Sequence, residues 1–260
     1  MKIIARLAVA SLALTGTGLA AACSSDSEDD DALTVCTNIP FEPFEFKDGE
    51  EYVGFDIDLM ELLAERLDQS VEVVEIDFDA IQSGSALNAG TCDIGASGMT
   101  ITEERQEAMG MSQAYYRADQ ALTVPEGSDI AALDDLDGVQ VGVQTATTGE
   151  DYANGIAEEY GFETVAYENM GDIASALSAG TVQASIADLS TWTAMVESTE
   201  GFAVVAELDT GEHYGFAVQK DDTELLDEVN AMLDEAFEDG TYAELYEKWF
   251  GEPYVEGSGE

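Results

Sequence analysis

The strongest chemical signal in the sequence is Arg105, a cation in a 260-residue chain with only 8 basic residues against 56 acidic ones. It lies in the segment TITEER, where Thr102 has a residue type that caps helix N-termini. The helix dipole disfavours a cation in a first turn, so Arg105 needs an anionic partner. One of the many carboxylates could supply a salt bridge. The position after a predicted strand favours a site for a bound anion.

A second helix start lies at Ala146 to Asp151. Thr147 and Glu150 fit a capping box, in which the side chain of each residue accepts a hydrogen bond from the backbone N–H of the other. The free N–H groups around Thr148 are able to hold a carboxylate. Capping alone explains the pattern equally well.

Asp188 ends a predicted buried strand, where an unpaired carboxylate is costly. A ligand ammonium would neutralise it, and capping of the helix that begins near Leu189 is the alternative. Phe41 and Phe78 also follow predicted strands. At these positions, the two aromatic side chains either line a pocket or belong to the hydrophobic core.

These residues depend on strands and helices that alternate along the chain. Strands are indicated by short β-branched runs, and helices by apolar residues at helical spacing, as at Leu59, Leu63 and Leu67. The alternation predicts an α/β protein with mostly parallel sheets covered by helices. The predicted strands are 33–37, 71–76, 93–96, 139–143, 164–167 and 184–187, and the predicted helices are 56–67, 80–89, 150–160 and 173–179.

An internal repeat suggests two lobes of similar design. Residues 85–91 and 175–181 match at six of seven positions, and each copy is a helix end, a glycine and a strand start. Two similar helix ends that arose by chance would look the same. In open parallel sheets, ligands bind beyond the carboxyl ends of strands. This rule places Ser97 and Gly98 of one lobe opposite Asp188 of the other.

The composition excludes several classes of function. A net charge of −48 opposes binding to nucleic acids or anionic membranes. The 45% of hydrophobic residues and their periodicity indicate a folded chain. His213 is the one histidine, and no CxxC, HExxH, Walker or GxGxxG motif is present, so we predict no catalytic residues, metal or cofactor. Carboxylates without basic neighbours in sequence crowd segments such as 225–239, which is typical of a salt-adapted protein.

The N-terminus predicts export. Lys2 and Arg6 precede an uncharged stretch from Leu7 to Ala22, which is short for a membrane span and suits a signal peptide over 1–22. The sequence LAAAC resembles a bacterial lipobox and predicts lipidation of Cys23, although an ordinary signal peptide with a chance cysteine is the alternative. Residues 23–31 would form an acidic tether. The mature chain would carry 6 basic and 56 acidic residues, a charge of −50.

Several segments together resemble the extracellular solute-binding proteins of polar amino-acid ABC transporters, known as family 3. The resemblance extends from Leu33 to Gly251, and GFDIDL at 54–59 and SGMTITEER at 97–105 are its most specific motifs. Further similar segments are PFEF at 43–46, TTGEDY at 147–152, YGFAV at 214–218 and KWFG at 248–251.

The resemblance implies a periplasmic-binding-protein-like type II fold: two α/β lobes with mostly parallel five-stranded sheets, joined by two crossing hinge strands that close on a ligand. Lobe 1 would comprise 32–118 and 215–252, lobe 2 would comprise 119–214, and 253–260 would be a disordered tail. The implied protein is a monomer, not an enzyme, that delivers a polar amino acid to the permease and ATPase subunits of an importer. It would be a cell-surface or periplasmic lipoprotein that contacts the membrane through its lipid anchor only. A dehydratase-like enzyme on the same fold is the rival.

The resemblance also implies roles for individual residues. The ligand α-carboxylate is expected at Arg105, Thr100 and the amides near Thr148. The α-ammonium is expected at the carbonyl near Ser97-Gly98, the Thr100 hydroxyl and Asp188, and Phe41 and Phe78 would sandwich the side chain.

Three further residues are expected to select the ligand side chain. Glu45 beside Phe41 suits a cation, whereas Asn38 and Gln144 suit an amide. A basic amino acid such as arginine, lysine or histidine is therefore the first expectation, and glutamine the second. The family often has glycine where Ala146 lies, which affects how closely the backbone approaches a ligand.

The resemblance also bears on Cys36 and Cys92, the two cysteines left if Cys23 is lipidated. The family fold makes their strands parallel neighbours, and export favours oxidation. We expect a disulfide, with two buried free thiols as the alternative.

Overall fold

The structure is a computed structural model that describes residues 32–255. The predicted signal peptide 1–22 and the whole tether 23–31, which includes the lipidation site Cys23, lie outside the described residues. The strands, in chain order, are β1 Ala32–Thr37, β2 Phe46–Asp48, β3 Glu51–Val53, β4 Ser70–Glu75, β5 Ile94–Gly95, β6 Gly110–Met111, β7 Tyr116–Pro125, β8 Gln140–Gln144, β9 Glu163–Tyr167, β10 Ala184–Asp188, β11 Phe202–Tyr214 and β12 Ala217–Val218. The α-helices are α1 Phe55–Leu67, α2 Phe78–Gln82, α3 Ser85–Asn88, α4 Glu103–Ala108, α5 Thr148–Tyr160, α6 Met170–Ser178, α7 Leu189–Ser198, α8 Thr223–Asp239 and α9 Thr241–Phe250.

Two five-stranded sheets form the two lobes, which confirms the predicted fold class. The first sheet has the order β4-β1-β5-β12-β6, and the second has the order β11-β7-β10-β8-β9. Neighbours β4, β1 and β5 pair in parallel, and so do β10, β8 and β9. In each sheet the carboxyl ends of the parallel strands therefore lie at one edge.

The long strands β7 and β11 link the sheets. The chain leaves the first sheet through β7 and returns to it after β11, and these two strands pair in antiparallel register from Phe202↔Pro125 to Tyr214↔Tyr116. The register shifts between Leu208 and Glu212, where β11 has more residues than its partner. The exact lobe boundaries, 118/119 and 214/215, stay a prediction.

One predicted helix is two helices in the structure. The expected helix 80–89 is interrupted between α2 and α3, because Gly84 has a left-handed φ of 72°. A Cβ atom at Gly84 would lie 2.7 Å from Met109 Cγ, so the chain turns closely against a neighbouring segment here. The other predicted helices are present.

Each lobe has an apolar core, and the disulfide is buried in the first. Leu59 and Leu63 bury the predicted face of α1. Cys36 in β1 is bonded to Cys92 in the turn before β5, which confirms the expected disulfide. None of the helices within 32–255 combines the length and the apolar character that crossing a bilayer requires.

The described part of the C-terminal tail contacts aromatic rings of α8 and α9. The Tyr254 ring packs 4.9 Å from the Tyr242 ring and 6.3 Å from the Phe237 ring, measured between centroids. The disorder expected for residues 253–260 stays a prediction. Aromatic rings that pack against one another gain stability beyond the area that they bury, which accounts for the position of the Tyr254 ring.

Candidate functional site

A narrow pocket lies between the lobes, at the carboxyl edges of both sheets. It brings together nearly all of the residues that the sequence marked as ligand-binding, with Thr147 in addition. Its walls are Asn38, Phe41, Phe78, Ser97, Gly98, Thr100, Arg105, Gln144, Thr147, Thr148 and Asp188. Glu45 is the predicted residue that does not line the pocket.

Arg105 reaches across the pocket from the first turn of α4. Thr102 Oγ1 accepts a hydrogen bond from Arg105 N at 3.1 Å, which confirms the predicted helix cap. The guanidinium Nη1 donates to the Thr100 carbonyl at 2.8 Å, and Nη2 donates to the Ala146 carbonyl of the other lobe at 3.2 Å. Its Cζ lies 5.2 Å from the centre of the Phe78 ring.

The charge of Arg105 is not neutralised by a direct ion pair. The residue is only 4% exposed, and no salt bridge to it exists among residues 32–255. Burial lowers the pKa of the guanidinium, although Asp188 and Glu212 oppose this effect from a distance. A buried guanidinium that bonds only neutral oxygens attracts an anion, and its planar fork suits a carboxylate.

Asp188 presents a buried carboxylate at the end of β10. It is 7% exposed, and it accepts hydrogen bonds from Tyr214 Oη at 2.5 Å and Gln120 Nε2 at 3.4 Å. Burial raises its pKa to about 7, although the Tyr214 hydrogen bond works in the opposite direction. Its side chain does not cap α7, so the alternative of a helix cap is wrong.

Glu45 lies beneath the pocket, where it supports Ser97. Its Oε1 accepts a hydrogen bond from Ser97 Oγ at 3.0 Å, and its side chain is fully buried. The neighbouring Asp56 accepts from Gly98 N at 3.0 Å and from Tyr115 Oη at 2.7 Å. Burial raises the pKa of both carboxyls, and for Asp56 the pKa rises to about 7. The structure therefore places Glu45 next to Ser97 and outside the pocket wall, and its expected contact with the ligand side chain stays a prediction.

Asn38 and Gln144 meet across the pocket. Gln144 Nε2 donates to Asn38 Oδ1 at 2.9 Å, and Asn38 Nδ2 donates to the Ile76 carbonyl at 2.9 Å. The two amides follow β1 of one sheet and end β8 of the other. They offer both donors and acceptors to one end of the pocket.

The start of α5 faces Arg105. Thr147 Oγ1 accepts from Glu150 N at 3.1 Å, so the predicted cap is present. Glu150 Oε2 accepts from Ala146 N at 2.7 Å, one residue earlier than a capping box would have it. Ala146 has a left-handed φ of 63°, a conformation that favours glycine.

Two residues next to the pocket were missed by the sequence analysis. Glu212 Oε2 accepts from Thr148 Oγ1 at 2.6 Å and from Thr100 Oγ1 at 2.8 Å. Gln120, fully buried, lies between Glu212 and Asp188. The position of Gln120 directly before the mostly apolar run ALTV was the one available signal, whereas nothing distinguishes Glu212 among 56 acidic residues.

Comparison with known proteins is consistent with this geometry. Residues 33–252 match the family described as bacterial extracellular solute-binding proteins, family 3. The lysine/arginine/ornithine-binding periplasmic protein of Escherichia coli (strain K12) is 33% identical over 249 residues, which cover 90% of this chain and 93% of the relative. A solved structure of an ancestral arginine-binding protein bound to arginine is 40% identical, with a TM-score of 0.80, and the match covers 85% of this chain and 99% of that one. The same values hold for an ancestral arginine-binding protein bound to glutamine.

Proposed function

Because this chain belongs to the bacterial extracellular solute-binding proteins of family 3, we propose that it captures a free basic amino acid between its lobes. It then delivers the amino acid to the permease and ATPase subunits of an ABC importer. Arginine is the first candidate, since relatives that bind arginine match over most of the chain. Closure of the lobes occurs by bending of β7 and β11, which link them.

The observation that carries this proposal is the presence of Arg105 and Asp188 in the walls of one pocket, without an ion pair between them. A zwitterionic amino acid brings a carboxylate to the buried guanidinium and an ammonium to the buried carboxylate. Arg105 and the amides near Thr148 take the α-carboxylate. Asp188, the Ser97-Gly98 carbonyl and the Thr100 hydroxyl take the α-ammonium. Binding therefore neutralises two buried charges at once, which favours a zwitterion over a simple anion or cation.

The side chain of the ligand lies between Phe41 and Phe78. Aromatic faces attract a cation, so this arrangement suits a guanidinium or ammonium. Asn38 and Gln144 provide amide oxygens that accept hydrogen bonds from a guanidinium. The same amides suit glutamine, which is the second candidate, and the glutamine-bound ancestral structure supports keeping it.

Calorimetric titration of the mature protein tests the proposal. We expect binding of arginine, with weaker binding of lysine, ornithine, histidine and glutamine. Mass spectrometry after incubation should recover the amino acid intact, whereas a dehydratase-like enzyme would convert its substrate. Absence of binding to all five amino acids would contradict the proposed function.

The proposed location is outside the cytoplasm, with a lipid on Cys23 as the only membrane anchor. The support comes from the signal-like segment 1–22 and the lipobox-like sequence before Cys23. The acidic tether 23–31 would keep a monomeric binding domain close to the importer. Replacement of Cys23 by serine should release the protein from membranes, and retention in the membrane fraction would argue against the anchor.

A further inference from the structure

We propose that Glu212 is a positioning residue that makes the hydroxyl groups of Thr100 and Thr148 hydrogen-bond acceptors towards the pocket. In this way it selects for the α-ammonium group of an amino acid. This inference rests on the proposed function and assigns part of the selectivity to a residue outside the pocket wall.

The carboxylate of Glu212 joins the two lobes. A single oxygen, Oε2, accepts from Thr100 of the first lobe at 2.8 Å and from Thr148 of the second lobe at 2.6 Å. The 2.6 Å distance is typical of a charge-assisted bond from a hydroxyl to a carboxylate, and 2.8 Å is an ordinary hydroxyl hydrogen bond. Glu212 therefore holds both hydroxyl groups at the point where the lobes meet.

The irregular part of β11 supports Glu212 in this position. The register of β11 shifts between Leu208 and Glu212, and the additional residues form a bulge in the strand just before Glu212. Asp119 Oδ1 accepts from the backbone N–H groups of Thr210 at 3.1 Å and of Gly211 at 3.2 Å. Two hydrogen bonds therefore join this bulge to the neighbouring strand β7.

The direction of the hydrogen bonds made by the two threonine hydroxyls follows from the number of protons that they carry. A threonine hydroxyl has one proton and two lone pairs, and an ionised carboxylate only accepts. Once both protons point to Glu212, neither hydroxyl has a proton left for the other. Thr100 Oγ1 and Thr148 Oγ1 are 3.3 Å apart. Two adjacent oxygens that present lone pairs favour an N–H donor over a carboxylate.

Gln120 connects the carboxylate of Glu212 with that of Asp188. Its Nε2 lies 3.4 Å from Asp188 Oδ1 and 3.5 Å from Glu212 Oε2, so the buried amide directs its donor group to both carboxylates. The resulting acceptors suit an ammonium, which has three donors. The α-carboxylate is left to Arg105 and the backbone amides of α5. The dual role expected for Thr100 is thereby resolved in favour of the ammonium.

The test compares arginine with two analogues, 5-guanidinopentanoic acid, which lacks the α-ammonium, and agmatine, which lacks the α-carboxylate. Glu212→Gln keeps the shape of the side chain, but its amide can donate to the hydroxyls and free their protons. We expect arginine affinity to fall about tenfold or more, in line with loss of a charged hydrogen-bond partner. Affinity for 5-guanidinopentanoic acid should not fall, so the preference for arginine over this analogue narrows by the same factor.

Glu207→Gln is the matched control, because Glu207 is an exposed residue of the same strand. It should leave all three affinities unchanged. Equal weakening of arginine and 5-guanidinopentanoic acid in Glu212→Gln would indicate a merely structural role and overturn the proposal. Unchanged arginine affinity would overturn it as well.

A measurement without ligand separates this inference from the proposed function. Melting temperatures of Glu212→Gln, Thr148→Val and the double variant form a double-mutant cycle. If the Glu212–Thr148 hydrogen bond exists in solution, the double variant loses less than the sum of the single variants. Additive losses would overturn the inference even if arginine binds. Coupled losses in a protein that binds no amino acid would instead leave the hydrogen bond in place and count against the proposed function.

Discussion

At the residue scale, the pocket keeps a guanidinium and a carboxylate buried without joining them in an ion pair. Arg105 bonds carbonyl oxygens, and Asp188 bonds a phenol and an amide. Neutral partners hold each side chain in place but leave its charge available. Both groups therefore gain from a zwitterion that supplies the missing opposite charges.

Removal of the guanidinium should weaken ligand binding strongly. Arg105→Ala is expected to cost roughly 2–5 kcal/mol of arginine affinity, because it leaves the ligand carboxylate buried without its charged partner. Titration calorimetry measures the loss. Arg66→Ala is the control, since Arg66 forms surface salt bridges with Glu228 and Glu235 away from the pocket. Normal affinity in Arg105→Ala would contradict the assigned role.

Affinity should rise with pH through neutrality. Burial raises the pKa of Asp188 to about 7, so the carboxyl holds a proton below that pH. A ligand ammonium stabilises the ionised form and requires release of this proton. Affinity should therefore fall by up to about tenfold per pH unit as the pH drops below about 7. Calorimetry between pH 5 and 8 measures the slope.

Asp188→Asn separates this effect from the buried pair Glu45 and Asp56, whose pKa values are also raised. The variant should bind more weakly at pH 8, but less so than Arg105→Ala, since the amide oxygen still accepts. Its affinity should depend less on pH than that of the wild type. An unchanged slope would assign the titration to another group.

At the element scale, the disulfide ties β1 to the segment that enters β5. It closes a loop with a sequence separation of 56, for which the chain-entropy model gives about 4 kcal/mol of stabilisation. Cys36→Ala/Cys92→Ala should lose stability of this order in urea denaturation. Thiol titration of the denatured, unreduced mature protein provides the second check, and two free thiols there would contradict the bond.

The turn before α5 offers a test of backbone strain. Ala146 has a φ of 63°, which is unfavourable for any residue with a Cβ atom. Ala146→Gly should therefore stabilise the protein by up to about 1 kcal/mol, after allowance for the greater freedom of glycine in the unfolded chain. Ala157→Gly, inside α5, should destabilise by a similar amount. If urea denaturation showed that both variants change the free energy of unfolding in the same direction, backbone strain at Ala146 would be refuted.

Tertiary packing gives some carboxylates of helix α8 a basic partner from another helix. The carboxylates of α8 lack basic neighbours in sequence, yet Arg66 of α1 contacts Glu228 Oε2 at 2.6 Å and Glu235 Oε2 at 2.9 Å. Two of these carboxylates therefore have a basic partner from another helix, which the sequence of α8 does not show. Asp227 and Glu238 of the same helix are exposed, so repulsion along α8 is reduced rather than removed.

At the scale of the whole molecule, the net charge of −48 opposes the compact state. Added salt shortens the Debye length from about 10 Å at 0.1 M to about 3 Å at 1 M. The melting temperature should therefore rise clearly between 0.1 M and 2 M NaCl. Potassium chloride should act in the same way, because screening depends on ionic strength. A flat or falling melting temperature would remove the claim of salt adaptation.

The sequence alone determined the α/β class, the strands and helices near the pocket, and most of the pocket wall. The predicted and the observed ends of the six strands predicted from the sequence differ by one residue at most, because β-branched runs and glycine stops are local signals. Strands β6 and β12 contain two residues each and are too short to have a periodicity. Arg105 stood out because the chain has only 8 basic residues, and Asp188 stood out because it ends a mostly apolar strand.

Only the tertiary structure decided the partners of two further carboxylates. Glu45, which the sequence marked as a possible contact of the ligand side chain, accepts a hydrogen bond from Ser97 instead. Glu212, whose local sequence does not distinguish it from the other acidic residues, accepts from Thr100 and Thr148. Their partners lie far away along the chain, at a separation of 112 residues for Glu212 and Thr100. Hydrogen bonds between distant segments depend on how the sheets and their linking strands pack, and periodicity along the chain carries no record of that packing.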